Sequence, residues 1–290
     1  MEVGIGLPAT IPGIERDQLL EWARRAEARG FSTLGAIDRI VYPNLEPLTT
    51  FAAAAAVTER IRLTTAILIA PLRVNTTLLA KQAATVDRIS GGRLVLGLAV
   101  GGREDDFSAG DVNFRDRGRR FDRQLDELKR IWAGEERGTA GAVGPPPVRD
   151  GGPELIIGGA VEASFERAAR HGSGWIMGGG PPDQFRESVG KVEAAWSKAG
   201  RDDAPRKLAL AYYALGDGAR GHADSYLHDY YGFLGDYADQ IAASAATDAD
   251  TVRQYRDAFA DAGCDELILF PCNPDPAQVD LLAEASGLGS

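Results

Sequence analysis

The chain has 290 residues, of which 44% are hydrophobic and 26% charged, and its formal net charge is -10 at pH 7. This length fits two small domains or one α/β barrel of about 250 residues. The negative charge argues against a nucleic-acid partner, which would require a basic face. No apolar run reaches the roughly 18 to 20 residues of a membrane helix, and residues 1–17 do not resemble a signal peptide, so we expect a cytoplasmic protein without a membrane partner.

The first half of the chain contains four predicted strands, each followed by a predicted helix. Residues 2–8 predict a buried strand, and apolar residues at helical spacing predict a helix over 15–30 that stops at Gly30. The same unit recurs three times. The strands are 33–38, 61–70 and 93–100, and the helices that follow them are 49–60, 76–90 and about 117–132.

The second half repeats the pattern after a Gly- and Pro-rich connection at 138–153. It adds four more apolar strands, and each again leads into a helical stretch. The strands are 153–159, 174–180, 207–215 and 266–272, and the helical stretches are one that ends at His171, one from about 182 to 200, a longer one after the seventh strand, and 276–285.

Eight apolar strands that alternate with helices predict a parallel sheet covered on its outer face. The simplest closure is a (β/α)8 TIM barrel, an α/β fold that forms one domain over residues 1–290. A helical and aromatic insertion is expected at about 217–246, after the seventh strand. The alternative is a pair of open four-stranded sheets joined by the connection at 138–153.

Glycine marks three consecutive strand ends, where the active sites of such barrels lie. The clusters are Gly101 with Gly102, Gly158 with Gly159, and 178–180. Bare backbone amides at these positions favour a flat or phosphorylated ligand that lies against the chain. The alternative is that each cluster only makes a tight turn into the next helix.

Several segments resemble the luciferase-like monooxygenase family: RLTTAILIAPLR, LLAKQAATVDRISGGRLVLGLAVGGREDDF and RGRRFDRQLDELKRIW, with PELIIGG and HGSGWIMGGG further along. The resemblance implies a barrel enzyme that binds FMN, or the deazaflavin coenzyme F420, at the barrel mouth. Members of the family use a reduced flavin with oxygen or transfer hydride through the deazaflavin. The resemblance therefore implies an oxidoreductase, and a homodimer, since the family commonly forms dimers.

The resemblance also implies which residues contact the cofactor. The family's bulge on the third strand, often with a non-prolyl cis peptide bond behind the central ring, falls on Ala66 and Ile67. The acidic residue near the polar edge of the ring matches Asp38. The other implied contacts are Val100, Gly101 and Gly102 beside the ring or ribityl chain, and Gly158, Gly159, Met177 and Gly178 around the phosphate.

Asp38 is the first candidate catalytic residue, because its carboxyl group follows an apolar strand and could exchange a proton with the cofactor or substrate. It could instead cap a helix or pair with Arg39, in which case the chemistry would pass to Arg39 or Tyr42. Arg39 stands where several relatives have His. Gly102 stands where deazaflavin-dependent sugar-phosphate dehydrogenases have Glu, which argues against a sugar-phosphate substrate.

The leading hypothesis is thus a flavin-dependent oxidoreductase, a monooxygenase that acts on a small organic substrate. An F420-dependent hydride-transfer enzyme and a flavin-binding protein without turnover are the alternatives. No metal is expected, since the sequence has neither an HxxxH nor a CxxC motif, and the three histidines are interpreted as structural or solvated.

Three further segments bear on partners, on substrate access and on contacts with the cofactor. The small-residue segment FAAAAAV (51–57) offers a helix face suited to close packing in a homodimer. The aromatic residues of segment 224–242 either form core beneath a long loop or an apolar lid over the ring. The charged segment 103–107 is interpreted mainly as solvated, with Arg103 as a possible contact for the cofactor or substrate.

Overall fold

The computed structural model describes residues 1–288, which form a closed barrel of parallel strands. The third predicted strand is interrupted after Thr65 and gives two strands, and the pairing of Leu63 with Leu94 closes the ring. The strands are β1 (Glu2–Gly6), β2 (Thr33–Ala36), β3 (Arg62–Thr65), β4 (Leu68–Ile69), β5 (Leu94–Ala99), β6 (Glu154–Gly158), β7 (Gly174–Met177), β8 (Arg206–Tyr213) and β9 (Glu266–Pro271).

Helices connect the strands along the whole described chain. Three of them follow β8, where the sequence predicts the helical insertion, and a short one follows β5. The helices are α1 (Arg16–Ala28), α2 (Pro47–Ala55), α3 (Thr76–Ser90), α4 (Glu104–Ala109), α5 (Arg117–Trp132), α6 (Glu162–His171), α7 (Pro182–Lys198), α8 (Ala219–Tyr231), α9 (Tyr237–Ala243), α10 (Ala249–Asp261) and α11 (Ala277–Ser286).

Local sequence explains where the helices begin and end. The side chain of Asn75 accepts a hydrogen bond of 2.9 Å from the backbone N–H of Leu78 and so caps α3, which ends at Gly91 in the left-handed conformation. Helix α4 was not expected from the charged segment 103–107. Its first turn holds Glu104, Asp105 and Asp106, which favour the positive end of the helix dipole.

The core consists of two layers, because successive strand residues point to opposite faces. In β5, Leu94, Leu96 and Leu98 belong to the layer between the strands and the helices, whereas Val95 belongs to the layer inside the barrel. The same alternation places Ile156 of β6 inside the barrel. This continuous apolar filling confirms the predicted (β/α)8 barrel, and the alternative of two open sheets is wrong.

A buried carboxylate ties the strands together at the amino-terminal end of the barrel. Glu266, the first residue of β9, is fully buried. It accepts hydrogen bonds from Ser32 (2.5 Å), Arg62 (2.9 Å) and Arg206 (2.5 Å). Residues at this end of a TIM barrel support stability, and the opposite end is where active sites lie.

Candidate active site

A cavity of about 610 Å³ opens at the carboxyl ends of the strands. Its volume lies within the range of about 300 to 1,000 Å³ that is usual for small-molecule sites. Its wall is mostly apolar and is formed by the ends of the strands, by the loop before α7, and by α9 and α10. The lining residues are Ile37, Asp38, Ala66, Ile67, Ile69, Gly178, Gly179, Gly180, Pro181, Pro182, Leu210, Ala211, Tyr212, Tyr231, Leu234, Tyr237, Gln240, Ile241, Ser244, Tyr255 and Phe259.

The floor of the cavity includes the interruption between β3 and β4. Ala66 and Ile67 lie there, both line the cavity, and the peptide bond that joins them is cis. The interruption therefore falls at the two residues that the sequence predicts for the strand-three bulge. The hydroxyl group of Thr65 donates a hydrogen bond of 2.7 Å to the carbonyl oxygen of Gly97, which holds the end of β3 against β5.

Asp38 lies at the cavity wall, and its side chain is 1% exposed. Its partner is Arg73 and not the neighbouring Arg39: both terminal guanidinium nitrogens of Arg73, Nη1 and Nη2, donate to the carboxylate, the second at 2.9 Å. The backbone N–H of Ile69 donates a third hydrogen bond at 2.8 Å. Burial raises the pKa of Asp38, and the Arg73 guanidinium acts against that shift.

Arg39 and Tyr42 lie away from the cavity wall and contact the end of α8. The Arg39 guanidinium donates a hydrogen bond of 2.7 Å to the carbonyl oxygen of Tyr230 and stacks on the rings of Tyr42 and Tyr230 at 4.4 and 4.9 Å. The Tyr42 hydroxyl donates to Asp229. Burial and this carboxylate raise the pKa of Tyr42, so its hydroxyl group keeps its proton at neutral pH.

Of the glycines predicted to hold a cofactor, Gly178 lines the cavity and the others do not. A Cβ atom added at Gly178 or at the adjacent Gly179 would meet no atom within 4 Å, so both present bare backbone to open space. A Cβ atom at Gly158 would instead lie 2.3 Å from Cδ1 of Ile67. Space at Gly158 is thus needed for the packing of Ile67.

The other predicted cofactor contacts also lie outside the cavity wall. Gly159 accepts a hydrogen bond of 2.7 Å from the Trp175 indole, and Gly101 accepts one of 3.1 Å from Arg117. Their predicted roles toward the cofactor stay predictions. The members of this group are Val100, which packs against the outer core layer, Gly101, Gly102, Gly158, Gly159 and Met177, which is buried in that layer.

The aromatic segment after β8 contributes residues to the buried core and to the wall of the cavity. Tyr226 is buried, and its hydroxyl group lies 2.6 Å from that of Thr10. Tyr231 and Tyr237 line the cavity. Phe233 is 50% exposed and packs under the Arg103 guanidinium, 3.7 Å from the ring centroid. Tyr226 therefore belongs to the core and Tyr231 and Tyr237 to the cavity wall, and an apolar lid over a cofactor ring stays a prediction.

The charged segment after β5 is solvated only in part: Glu104 and Asp105 are exposed as expected, whereas Asp106 is not. Asp106 is buried and accepts hydrogen bonds of 3.0 and 2.7 Å from the backbone N–H groups of Ile40 and Val41. It therefore holds the loop after β2, which carries Asp38 and Arg39 at its start. Phe107 could have indicated this helix, α4, from the sequence. A large apolar residue after three acidic residues is typical of a short helix that packs on the core, and Phe107 is buried.

None of the three histidines lies in the cavity. Burial and the nearby charge of Lys129 lower the pKa of His171, so its neutral form is favoured. His228 contacts the Asp239 carboxylate at 2.8 Å. Within residues 1–288, no group of His, Cys, Asp and Glu side chains is arranged to hold a metal ion, and no helix is long and apolar enough to cross a membrane.

Comparison with known proteins identifies the family. The family model described as luciferase-like monooxygenase matches residues 1–263, and the chain belongs to this family. An uncharacterized protein of Mycobacterium tuberculosis is 33% identical over 175 residues, which cover 57% of this chain and 61% of that protein. A second uncharacterized protein of the same species is 28% identical over 207 residues, which cover 62% of this chain and 71% of that protein.

Solved structures share the fold over nearly the whole chain. The monooxygenase RslO1 from Streptomyces bottropensis is 24% identical with a TM-score of 0.78, and the match covers 98% of each chain. An F420-dependent secondary alcohol dehydrogenase in complex with an F420-acetone adduct is 17% identical with a TM-score of 0.81, also over 98% of each chain. The oxygenating constituent of 3,6-diketocamphane monooxygenase from Pseudomonas putida, in complex with FMN, is 17% identical with a TM-score of 0.73, over 99% of this chain and 96% of that one.

Proposed function

We propose that the protein is an oxidoreductase that binds reduced FMN at the barrel mouth and oxygenates a small organic substrate. The observation that carries the proposal is the cavity itself, with the interruption at Ala66 and Ile67 in its floor and the bare backbone of Gly178 and Gly179 at its edge. A flat ring fits an apolar floor, and backbone amides that precede a helix suit a phosphate.

Each part of the wall has a role in this proposal. Ala66 and Ile67 would support the ring, and Gly178 and Gly179 would hold the polar chain of the cofactor. When bound, a reduced flavin supplies electrons to oxygen, and a deazaflavin would supply hydride instead. The protein positions the substrate and excludes water with α9, which covers the cavity through Tyr237 and Ile241.

Asp38 is best explained as a positioning residue. Both oxygens of its carboxylate are held by Arg73, and one also accepts the N–H of Ile69 in the floor strand β4. The pair therefore fixes the loop after β2 against the interruption in the third strand. Proton transfer by Asp38, Arg39 or Tyr42 is not needed in this account.

Side-by-side titration with FMN and with coenzyme F420 tests the proposal. We expect FMN to bind, and NAD(P)H-dependent flavin reduction to support turnover with oxygen. Binding of F420 alone, with hydride transfer, would replace the proposal by the deazaflavin alternative. Binding of FMN without turnover of any substrate would identify a flavin-binding protein.

A glycine variant and a matched control locate the cofactor. Gly178→Val should weaken FMN binding at least about tenfold with an unchanged melting temperature, because the new side chain has space but occupies the cavity. Gly190→Val makes the same change on the exposed surface of α7 and should leave binding unchanged. Equal FMN affinity in both variants would contradict the proposed cofactor position.

We also propose that the protein is a homodimer. The segment 51–57 lies mostly in α2, where Phe51, Ala54 and Ala55 are buried within the chain. Ala53 and Ala56 are exposed and leave a small-residue surface for a second copy. Sedimentation at micromolar concentration should give the mass of two chains, and a monomeric mass would contradict the proposal.

A further inference from the structure

Two tyrosine hydroxyl groups meet at the wall of the cavity. Tyr212 is the last but one residue of β8 and is 4% exposed, and Tyr231 is the last residue of α8. Their oxygens lie 2.7 Å apart, and their rings cross edge to face with centroids 5.9 Å apart. Both residues line the cavity, so the hydrogen-bonded pair joins the barrel to the aromatic cover at the site itself.

The two hydroxyl groups of this pair offer two O–H donors, and the hydrogen bond between them needs only one. Burial raises the pKa of both phenols, so each keeps its proton at neutral pH. In the hydrogen bond between them, one hydroxyl group donates its proton and the other accepts. Neither hydroxyl group makes a second hydrogen bond to any residue in 1–288. One O–H donor therefore remains beside the cavity, and buried donors are nearly always satisfied in native proteins.

The charges of the cavity wall indicate what the donor would meet. Asp38 is the one charged side chain among the described residues that line the cavity, and Arg73 already neutralises it. An anionic ligand would find no free cation on the wall, and a cationic ligand would compete with Arg73. Apart from the bare backbone of Gly178 and Gly179, where the polar chain of the cofactor is proposed to bind, the wall is apolar or carries neutral polar groups, so an uncharged substrate fits it best.

Other polar groups on the wall do not offer the same contact. The Tyr255 hydroxyl donates its proton to the carbonyl oxygen of Ser244 at 2.6 Å. Gln240 lies on α9 and is exposed, so water can satisfy its amide. Tyr237 is 52% exposed, so water can satisfy its hydroxyl group as well. The pair of Tyr212, which is buried, and Tyr231, which is partly buried, is thus the enclosed point of the wall at which a hydrogen bond to a ligand replaces no existing partner.

We propose that Tyr212 and Tyr231 determine specificity by donating one hydrogen bond to an uncharged acceptor oxygen of an otherwise apolar substrate. The identification of this ligand as a substrate rests on the proposed oxidoreductase function, but the hydrogen bond itself does not. The pair selects against molecules of the same shape that lack the oxygen, because these would leave the O–H group unpaired.

Three probes of similar shape test the contact in the protein without added cofactor. Cyclohexanone carries the acceptor oxygen, methylenecyclohexane replaces it by a carbon, and cyclohexanecarboxylate adds a charge. We expect cyclohexanone to bind about fivefold to tenfold more tightly than methylenecyclohexane, and the carboxylate to bind most weakly. Ligand-detected NMR titration gives the three affinities. Equal affinity for the first two probes, or tightest binding of the carboxylate, would overturn the proposal.

Phenylalanine variants assign the preference to the pair. In the double variant Tyr212→Phe/Tyr231→Phe both hydroxyl groups disappear together, so folding should change little and the preference for cyclohexanone should vanish. Tyr255→Phe removes a hydroxyl group from the same cavity and should keep the preference. A preference that survives in the double variant would overturn the proposal, and should that variant fail to fold, the three-probe comparison on the unchanged protein still decides it.

The outcomes separate this inference from the proposed function. A protein that fails to bind FMN and F420 but prefers cyclohexanone would retain the hydrogen-bond donor and lose the proposed oxidoreductase function. A protein that binds FMN and turns over, but treats cyclohexanone and methylenecyclohexane alike, would keep the function and lose the donor.

Discussion

Arg73 holds both carboxylate oxygens of Asp38 across the interruption in the third strand of the barrel. The two residues are 35 positions apart and lie on different loops at the mouth. Because Asp38 is buried, its charge depends on this partner. The Asp38–Arg73 pair therefore links the two loops. It also stabilises the ionised form of the Asp38 carboxyl group at the cavity wall.

Arg73→Gln should destabilise the protein by about 3 kcal/mol at neutral pH, because it leaves the buried Asp38 without a cation. Burial already raises the pKa of Asp38, and the loss of Arg73 removes a cause that opposes this shift. The folded variant should therefore hold the Asp38 proton to higher pH than the unfolded chain does, and its stability should rise as the pH falls through the folded pKa. Urea unfolding between pH 5 and 8 measures this, with the exposed Arg16→Gln as control. Similar losses in both variants would contradict it.

Asp38→Asn separates positioning from proton transfer. The amide removes the charge and keeps an oxygen for the N–H of Ile69, so we expect a smaller loss of stability than in Arg73→Gln. If Asp38 only positions the loop, kcat should fall less than about tenfold and the pH profile of turnover should keep its shape. A fall of about 100-fold or more, with the loss of one limb of the profile, would show that Asp38 is a general acid or base.

Glu266→Gln should lower the free energy of unfolding by about 2 kcal/mol, because hydrogen bonds to a buried charge are weakened on three sides. The affinity for FMN should not change, since Glu266 lies at the end of the barrel opposite the cavity. Chemical denaturation and flavin titration test both statements. Glu193→Gln, which alters an exposed pair with Lys207, is the control. A large change in FMN affinity would contradict the separation of the two ends.

His228 and His171 should titrate separately in an NMR experiment. Hydrogen bonding to Asp239 raises the pKa of His228 above 6.5, and burial lowers that of His171 below it. The contribution of His228 to stability is present below its unfolded pKa and is lost as the pH rises through its folded pKa. The contribution of His171 is present above its unfolded pKa and is lost as the pH falls. His228→Gln and His171→Gln assign the signals, and the reverse order of pKa values would contradict these contacts.

Gly158→Ala should cost about 1 to 3 kcal/mol, the usual range for overpacking a core, because the new Cβ atom would lie 2.3 Å from Ile67. Shortening that side chain in the double variant Gly158→Ala/Ile67→Val should restore part of the loss. Thermal unfolding of both variants and of Ile67→Val alone gives the coupling. If the losses simply add, the two side chains do not share this space.

The sequence was sufficient for the barrel and insufficient for much of the site. Apolar strands such as 94–99 alternate with amphipathic helices, and that pattern determines the fold class. The partner of Asp38 could not be predicted from spacing, because Arg73 approaches it through tertiary contact. The same holds for Tyr212 and Tyr231: Tyr212 lies within the predicted strand 207–215 and Tyr231 within the aromatic segment 224–242, but the hydrogen bond between them depends on where α8 ends.

The interruption of the third strand also constrains its neighbours. The side chain of Ile67 packs into the space that a side chain at position 158 would occupy. A Cβ atom at Gly97 would lie 2.0 Å from the carbonyl oxygen of Thr65. Positions 67 and 158 thus share one volume, and a Cβ atom at position 97 would also contact Cγ1 of Ile67 at 3.5 Å. Over evolution these positions should change together: a relative with a larger residue at 158 should carry a smaller one at 67, and the same trade in size should appear in any redesign of the barrel floor.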